Sequence, residues 1–330
     1  MAVIRNTGSG SWLSASTWNT GTIPTAQDNV DVGSRSGPHN TVVDLSGTGA
    51  AGDLSVFDRV NLVNGALDVG GSNKFVEGTV RISGTINLDA ASKMGAAQLK
   101  IFDHGLVLDA GSIILSGFGN NRPALDNNGT MVVSGKLLDT STSLFFNDKN
   151  GLFVVTDSGF AEFSVSGIHK KSGVAAINHG DIVASDGGRI VFNGMVTGDG
   201  SLLVQNRAEI DVAGRAADKG GALLVGEQTT LKLLGGGSLD VEFAMGVHQN
   251  DHLFLDHSQQ YKGSIAGFAK GDTIDVLDQA FNVPFSTDAY HPGSHTLQVG
   301  STNIKIVGTY TASDFTFASD LHGGTLIGHV

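Results

Sequence analysis

The chain is 330 residues long, contains no cysteine, and carries 32 acidic against 20 basic side chains, for a formal net charge of −12 at pH 7. This composition excludes disulfides and thiolate metal sites, and it argues against nucleic acid and anionic membrane surfaces as partners because Lys and Arg are scarce. No run of about 18 apolar residues is present to span a membrane. The N-terminal segment Met1–Arg5 lacks the apolar core of a cleavable signal peptide.

Glycine is abundant, with 47 residues, whereas proline contributes only 5. This ratio predicts many tight turns and argues against a disordered linker. No cofactor is predicted, but the surplus of carboxylates makes a divalent cation, calcium above all, a ligand to test.

Residues 1–29 are predicted to form an N-terminal cap. They hold the only two tryptophans of the chain, Trp12 and Trp18, and large rings folded over the open end of a repetitive core would shield it from water. The alternative is that the two indoles form a stacking platform for sugars. The short β-prone segment that contains Val3 and Ile4 is expected to be able to pair as a strand with a neighbouring molecule.

From Val42 to Leu115, short apolar runs alternate with turns of Gly, Ser, Asn and Asp, which predicts strands. Their uneven spacing predicts insertions at the corners, gathered on one side of a repeat structure. Ala90–Ala97 is predicted to form a short helix. Further on, clustered phenylalanines are predicted to stack as a ladder in the core. They are Phe145, Phe146, Phe153, Phe160 and Phe163.

The most regular stretch runs from Gly180 to Val276. Apolar and polar residues alternate within each run, as in Thr230-Leu231-Lys232-Leu233, so the side-chain period is two and the runs are strands with one wet face. Equivalent residues recur every 20 to 22 positions, which predicts that strands of successive coils stack into inward columns. One column is Ile190, Ile210, Leu231, Leu253 and Ile274; the other is Ile182, Leu202, Leu223, Phe243 and Ile265.

These patterns predict an all-β chain that forms a single parallel β-helix, or solenoid, over residues 30–280, with coils of 20 to 22 residues. After Ile274 the repeat ends, and Thr296–Val307 has the pattern of a hairpin. Residues 281–330 are therefore predicted to form a terminal antiparallel cap, with Phe315 and Phe317 available to cover the last coil.

Several segments resemble those of a known group of proteins. They are Val196-Thr197-Gly198-Asp199-Gly200-Ser201-Leu202, Phe268-Ala269-Lys270-Gly271-Asp272-Thr273-Ile274-Asp275-Val276, the tail segments Gly308-Thr309-Tyr310-Thr311-Ala312-Ser313-Asp314-Phe315 and Asp320-Leu321-His322-Gly323-Gly324-Thr325-Leu326-Ile327, and the opening Trp12, Trp18, Pro24 and Asp28. In these segments the chain resembles the β-helical repeat surface proteins, haemolysin-type or autotransporter-like, that alphaproteobacteria export by type I secretion.

The resemblance implies an extracellular or cell-surface location and an uncleaved C-terminal secretion signal within residues 281–330. The group often carries calcium-binding Gly-Gly-x-Gly-x-Asp repeats, and this chain has none. The resemblance therefore bears on fold and location more than on calcium or biochemical role.

Candidate metal ligands occur around one segment. Its two histidines have the i, i+4 spacing of a zinc-protease helix, but Gln249 stands where the acidic base would be, and a strand follows. The candidates for a loose metal site are His248, Asp251, His252 and Asp256, against a solvated corner as the alternative. A second hypothesis is calcium that bridges outward carboxylates such as Asp211 and Asp240 of neighbouring molecules.

No catalytic residues are predicted. The chain has no Asp-Asp pair and no Gly-x-Ser-x-Gly elbow between a strand and a helix, and no acid, base and charge-stabilising group recur together at one-coil spacing. The leading hypothesis is a structural or adhesive protein of a bacterial cell surface or biofilm matrix that associates head to tail with itself into filaments. The alternative is a polysaccharide-active enzyme, a lyase or hydrolase, or a glycan-binding β-helix module, with extracellular polysaccharide as partner.

Overall fold

The computed structural model describes residues 3–33, 41–63, 65–69, 79–82, 85–88, 93–96, 98–115, 123–139, 144–164, 173–244, 250–281 and 289–330. Within these ranges the chain is all-β, as predicted, with short strands separated by tight turns. Single turns of 3-10 helix occur at Ala15–Thr17, Ser258–Gln260 and Ala312–Asp314.

The strands follow one another closely along the chain. They are β1 (Val3–Arg5), β2 (Gly10–Ser11), β3 (Asn29–Val32), β4 (Val42–Leu45), β5 (Thr48–Ala51), β6 (Asp53–Val56), β7 (Arg59–Leu62), β8 (Ala66–Val69), β9 (Thr79–Ile82), β10 (Thr85–Leu88), β11 (Lys93–Ala96), β12 (Gln98–Ile101), β13 (Leu106–Asp109), β14 (Ser112–Leu115), β15 (Leu125–Asn127), β16 (Thr130–Val133), β17 (Lys136–Asp139), β18 (Phe145–Asn147), β19 (Leu152–Val155), β20 (Phe160–Phe163), β21 (Val174–Asn178), β22 (Asp181–Ala184), β23 (Arg189–Phe192), β24 (Met195–Gly198), β25 (Ser201–Gln205), β26 (Glu209–Val212), β27 (Ala216–Asp218), β28 (Ala222–Val225), β29 (Thr230–Leu233), β30 (Val241–Phe243), β31 (His252–Leu255), β32 (Ser264–Ala266), β33 (Thr273–Val276), β34 (Tyr290–His291), β35 (Thr296–Val299), β36 (Thr302–Val307), β37 (Phe315–Ser319) and β38 (Thr325–His329).

Each full coil contributes one strand to each of three sheets. Sheet 1 has the order β1-β3-β6-β9-β12-β15-β18-β21-β24-β27; sheet 2 has the order β2-β4-β7-β10-β13-β16-β19-β22-β25-β28-β30-β32-β36-β35-β34; and sheet 3 has the order β37-β38-β33-β31-β29-β26-β23-β20-β17-β14-β11-β8-β5. The pairing is parallel except for β33–β38, β34–β35, β35–β36 and β37–β38, which are antiparallel. The predicted parallel β-helix with a terminal antiparallel piece is confirmed.

The first predicted column is observed in register on sheet 3. Its five members are successive Cα partners, and all are fully buried. The steps between them are 20, 21, 22 and 21 residues, read directly from the partners Ile190, Ile210, Leu231, Leu253 and Ile274.

The second predicted column, on sheet 2, is wrong at two positions. The observed column is Ile182, Leu202, Ala222, Val241 and Ile265. Leu223 faces outward, and Phe243 pairs with Leu224 in the neighbouring inward column. The segment Ala222–Val225 is apolar at every position, so alternation alone does not determine which of its faces points inward.

The inward residues of the three sheets form one continuous apolar core. Phe145 stacks on Phe163 with ring centroids 4.5 Å apart, and Phe163 stacks on Phe192 at 5.3 Å, while Phe153 packs against the first two. The other two predicted members of this ladder, Phe146 and Phe160, point outward, because residues an odd number of positions from an inward side chain lie on the opposite face of a strand.

Several longer connections join the same two sheets. The connections β8–β9, β14–β15, β17–β18 and β20–β21 all lead from sheet 3 to sheet 1, whereas β3–β4 leads from sheet 1 to sheet 2 and β30–β31 leads from sheet 2 to sheet 3. The predicted helix at Ala90–Ala97 is wrong where the structure describes it. Lys93–Ala96 is β11, which pairs with strands on both sides and buries Met94 and Ala96. Tertiary pairing here overrides a local alanine-rich helix preference.

The two ends of the solenoid differ in topology. The predicted N-terminal cap, residues 1–29, contributes β1 and β2 as the first strands of sheets 1 and 2. At the other end sheet 1 stops at β27, and only the isolated bridges Ala216–Gly237 and Gly237–Tyr261 continue its side of the coil. Sheets 2 and 3 instead turn back on themselves through the antiparallel strands of residues 281–330.

Candidate interaction surface

The outer face of sheet 2 carries an unbroken row of aliphatic side chains. The row occupies six successive strands, and each member is the Cα partner of the next. Its members are Leu108, Val132, Val154, Val183, Leu203 and Leu223, which we call the sheet 2 stripe. At about 4.8 Å per strand it spans roughly 24 Å.

The stripe is open to solvent along its whole length. Leu108 is 38% exposed, and the other members are half-buried. Leu106 and Leu152 lie on the same face of β13 and β19, two residues away along the strands, and widen the apolar area. A contiguous apolar patch is uncommon on a soluble protein and usually marks a contact surface.

Charged residues bound the stripe at both ends. Towards the N-terminus, the exposed Arg59 lies on β7, and Asn61 Nδ2 donates to Asp44 Oδ1 at 2.8 Å. Towards the C-terminus, Leu223 is followed in register by Glu242, and Asp240 directly precedes β30 on the same face. Arg59 and Glu242 make no ion pair within the described ranges. The N-terminal end therefore carries the cation of Arg59 beside the carboxylate of Asp44. The C-terminal end carries two carboxylates, with Lys305 two strands further on, and we call it the acidic end.

A shallow groove of about 440 Å³ lies at the acidic end. The groove opens at Gly220 and Gly221, because neither residue has a side chain to occupy the space between Ser201 and Asp240 on the outer face. Gly221 has a left-handed φ of +80° that favours glycine. Hydrogen bonds between adjacent coils fix the polar side chains of the walls. Ser201 Oγ donates to Asp181 Oδ1 at 2.5 Å, and Ser264 N and Oγ both donate to Asp240 Oδ1 at 2.7 Å. The groove thus combines an aliphatic floor with fixed carboxylates.

A ladder of buried amides supports the corner between sheets 1 and 2 beside the groove. Asn127 Nδ2 donates to Asn147 Oδ1 at 2.8 Å, Asn147 Nδ2 to Asn178 Oδ1 at 2.9 Å, and Asn178 Nδ2 to Asp218 Oδ2 at 3.0 Å. Gly198 lies between Asn178 and Asp218 in sheet 1. A Cβ at this position would lie 1.7 Å from Asn178 O, so only glycine leaves room for the hydrogen bond between the two side chains. Burial raises the pKa of Asp218 to about 6.

The outer face of sheet 3 is charged where that of sheet 2 is aliphatic. Arg189 Nε lies 2.9 Å from Glu209 Oε1 and its Nη2 lies 2.5 Å from Asp211 Oδ2, while Lys232 Nζ lies 2.7 Å from Glu209 Oε1. Phe254 flanks the network, with Lys232 Nζ 5.8 Å from its ring centroid. Burial raises the pKa of Asp211 despite its cationic partners. These charges neutralise one another across three coils.

The predicted metal ligands do not converge. Asp251 is fully buried, and its Oδ1 accepts hydrogen bonds from Thr229 N at 2.9 Å and Oγ1 at 2.8 Å. His252 points outward from sheet 3, and burial lowers its pKa. Asp256 follows the far end of β31, about 16 Å from Asp251 along an extended strand, and His248 lies outside the described residues. Among the residues that the structure describes, no group of three or more His, Cys, Asp or Glu could hold a metal ion.

The predicted N-terminal cap residues lie over the first coil. Trp12 and Trp18 are buried with ring centroids 5.0 Å apart, and Trp18 Nε1 donates to Trp12 O at 2.8 Å. Buried indoles cannot stack on a sugar. Val3 and Ile4 lie in β1, whose outer edge is engaged because Asn19 N donates to Arg5 O at 2.8 Å and Arg5 N donates to Asn19 Oδ1 at 2.9 Å.

The predicted C-terminal cap residues lie over the last coil. Phe315 is buried and stacks on Phe268 with ring centroids 6.2 Å apart and an interplanar angle of 9°. Phe317 is half-buried against the core. Both belong to β37, which pairs with β38 and so extends sheet 3 beyond β33. Aromatic side chains therefore cover the core at both ends.

Sequence reasoning missed the stripe. The signal was present: Leu152–Val155 reads LFVV and Ala222–Val225 reads ALLV, apolar on both faces, unlike strands with one wet face. Continuous apolar runs are typical of strands covered on both sides. What the sequence could not show is that these runs lie in register on one sheet.

Comparison of the chain with protein-family models, with curated proteins and with solved structures finds no match. The resemblance to type I-secreted β-helical surface proteins stays a prediction. No helix in the described part of the chain is long and apolar enough to cross a bilayer.

Proposed function

We propose that the protein is an extracellular structural or adhesive component of a bacterial cell surface or biofilm matrix, and that it acts through its lateral surface rather than by catalysis. The observation that carries this proposal is the sheet 2 stripe, a row of outward aliphatic side chains that the core does not require. Leaving such a row exposed to water is unfavourable by roughly 25 cal/mol per Å² of apolar area, so a contact that covers it gains free energy.

The architecture suits a load-bearing role. Apart from the ends, every strand of the solenoid pairs with a strand on each side, and buried amides and ion pairs link successive coils along the axis. The bonds between two coils must break before those coils separate, and their repetition along the axis favours a stiff rod.

End-to-end filaments through Val3 and Ile4 are a second mode of assembly in this proposal. The hydrogen bonds between Arg5 and Asn19 occupy the outer edge of β1, so strand addition there would first have to displace the segment that covers it. The geometry favours lateral contact over end-to-end contact.

The proposal is tested by fractionating a producing culture into cells, matrix and medium with a tagged full-length chain. We expect the wild-type protein in the matrix or cell-surface fraction, and Leu203→Lys released into the medium. The matched control is Val191→Lys, an outward residue of the same region on sheet 3, which should remain bound. Retention of the wild-type chain inside the cells would contradict the proposal.

A C-terminal secretion signal within residues 281–330 belongs to the same proposal. Deleting residues 309–330 would remove β37 and β38, which cover the last coil, and failure to appear outside could then reflect misfolding. A reporter fused to residues 281–330 separates the two effects: export of the fusion supports the signal, and an intracellular fusion contradicts it.

A polysaccharide-active enzyme is the second candidate, favoured by the groove at Gly220 and Gly221. Asp240 and Glu242 are two residues apart on one outward face and both line the groove, and a pair of carboxyl groups is what glycoside hydrolysis requires. The test is a panel of neutral and uronate polysaccharides assayed for reducing ends and unsaturated products, with Asp240→Asn and Glu242→Gln as controls. Turnover that both variants abolish would establish this function; turnover that survives both would exclude this groove.

A further inference from the structure

We propose that a second copy of this chain packs on the outer face of sheet 2, with the two solenoids antiparallel and related by a two-fold axis that runs along the strand direction. The inference rests on the proposed function in that both use this face, and it names the partner as the chain itself. The stripe, its length and the charges at its two ends carry it.

The face is large enough for a dimer only if the whole of it takes part. The stripe alone, about 24 Å by 13 Å, covers roughly 300 Å², less than a stable interface needs. The twelve parallel strands from β4 to β36 give a face of about 53 Å by 13 Å, or roughly 700 Å² per copy, close to the ~800 Å² per partner of a standard interface. A second solenoid matches this long, narrow shape because it has the same one.

The stripe is compatible with two-fold symmetry. Its midpoint lies between Val154 and Val183, and a two-fold axis there places Leu108 of one copy opposite Leu223 of the other. In the same arrangement Val132 faces Leu203. Every contact is then made twice, as an isologous interface requires. Aliphatic side chains meet along the whole stripe. Asp181 lies beside it, two residues before Val183 on the same outward face and opposite Leu152 of the other copy, and its Oδ1 accepts a hydrogen bond from Ser201 Oγ.

Charge complementarity selects the antiparallel arrangement. The same two-fold axis places Asp240 of one copy opposite β10 of the other. Arg59, on the adjacent β7, lies in the same row of Cα partners as Asp240 and is one strand spacing, about 4.8 Å, away, whereas Glu242 lies two residues further along the strand. An arginine side chain can reach that far. A parallel arrangement would instead set the acidic ends of the two copies against each other, which is repulsive. Arg59 and Asp240 are therefore expected to form two symmetric ion pairs.

The first experiment measures self-association of the purified full-length chain by sedimentation velocity over a dilution series. We expect a reversible dimer, weakened at least about tenfold by Leu203→Lys. Val191→Lys makes the same change of net charge on sheet 3 and should leave the dimer intact. A wild-type chain that stays monomeric at the highest soluble concentration overturns the inference, as does equal weakening by the two variants.

A charge exchange tests the orientation. Arg59→Glu alone and Asp240→Lys alone should each weaken the dimer, and the double variant should recover most of the loss, because the two residues share one row and the two-fold axis brings them within one strand spacing of each other. Double-variant association no better than the weaker single variant would rule out this pairing.

Cross-linking gives a direct geometric answer, because the chain has no cysteine of its own. Packed sheets lie about 10 Å apart, too far for a direct disulfide, so a short bis-maleimide is used to join the thiols. Leu108→Cys and Leu223→Cys chains, mixed in equal amounts, should give a cross-link between the two different variants. A cross-link confined to like variants would indicate a parallel pair and overturn the antiparallel geometry. Circular dichroism of each variant checks that it is folded.

The same measurements separate this inference from the proposed function. A monomeric wild-type chain that is still retained in the matrix would leave the structural role standing and assign the face to another partner. If added polysaccharide converts the dimer to monomer, the groove at Gly220 and Gly221 binds glycan in competition with the second copy. A dimer found inside the cell would support the interface and contradict the extracellular role.

Discussion

The outer faces of sheets 2 and 3 differ although the same coils build both. Across β22, β25 and β28, sheet 2 exposes Val183, Leu203 and Leu223, whereas across β23, β26 and β29 sheet 3 exposes a network of two cations and two carboxylates. The inner faces of the two sheets are alike, because both cover one apolar core. The fold thus requires apolar residues on the inner face of each sheet, whereas the residues of the two outer faces can differ.

In β13 the usual placement of apolar residues inside and charged residues outside is reversed. Leu108 points outward and is 38% exposed, while its neighbour Asp109 points inward and is 1% exposed. Asp109 Oδ1 accepts a hydrogen bond from Gly111 N at 2.9 Å, and its Oδ2 has no partner in the described structure. An apolar residue outside and a carboxylate inside both cost free energy in the isolated chain, which is the kind of departure expected near a functional surface.

The largest expected effect comes from replacing leucine by aspartate on an inner face, compared with the same replacement on an outer face. Leu231→Asp on the inner face of sheet 3 would bury an unpaired charge and should lower the free energy of unfolding by more than about 4 kcal/mol. Leu223→Asp on the outer face of sheet 2 should change it by less than about 1 kcal/mol. Urea denaturation of both variants measures the difference. Similar losses in the two would mean that the inward and outward assignments are wrong.

The second effect is a pH dependence at Asp109. Burial raises the pKa of Asp109 from 3.8 to about 7, so the folded state binds this proton more tightly than the unfolded chain does. Its contribution to stability is greatest below about pH 4 and is lost as the pH rises towards 7. Asp109→Asn should therefore stabilise the protein at pH 8, by roughly 1–3 kcal/mol, with little effect at pH 4.

The measurement for Asp109 is urea denaturation at pH 4, 6 and 8. Asp103→Asn, at the exposed turn just before β13, is the matched control and should leave the pH dependence as in the wild type. A stability gain for Asp109→Asn that is equal at all three pH values would show that the carboxylate does not titrate differently in the folded state.

A smaller effect is expected in the sheet 3 network. Asp211→Ala removes one carboxylate from between Arg189 and Lys232, both of which remain partly solvated and keep Glu209 as a partner. The free energy of unfolding should fall by about 1–2 kcal/mol, and the loss should shrink in high salt because the charges are then screened. A loss that does not depend on salt would indicate that packing of Asp211, and not its charge, matters.

The smallest expected effect on folding lies in the stripe. Val183→Thr keeps the side-chain shape on an outward position and should change the free energy of unfolding by less than about 0.5 kcal/mol, while weakening self-association. Val191→Thr on sheet 3 should affect neither. Thermal denaturation and sedimentation, measured on the same samples, check both statements, and a weakened dimer for Val191→Thr would remove the distinction between the two faces.

Fold class and much of the register follow from the sequence pattern alone. Alternation of period two and the recurrence of Ile190, Ile210, Leu231, Leu253 and Ile274 suffice to predict strands, coils and one inward column. The caps are also visible, because Trp12, Trp18 and Phe315 are large rings just outside the regular repeat. Their burial follows from the open apolar ends that any stack of coils leaves.

Which face of an apolar strand points inward is set by its pairing with the neighbouring coils and not by its own sequence. In Ala222–Val225 both faces are apolar, and Leu223 faces outward because Ala222 and Leu224 are fixed in register by Leu202 and Val204 of the preceding coil. Likewise Phe160 lies outside and Phe163 inside. The stripe exists only once that register is set, because it joins six residues that lie 20 or more positions apart in the chain, and sequence pattern carries no information on how outward side chains align across coils.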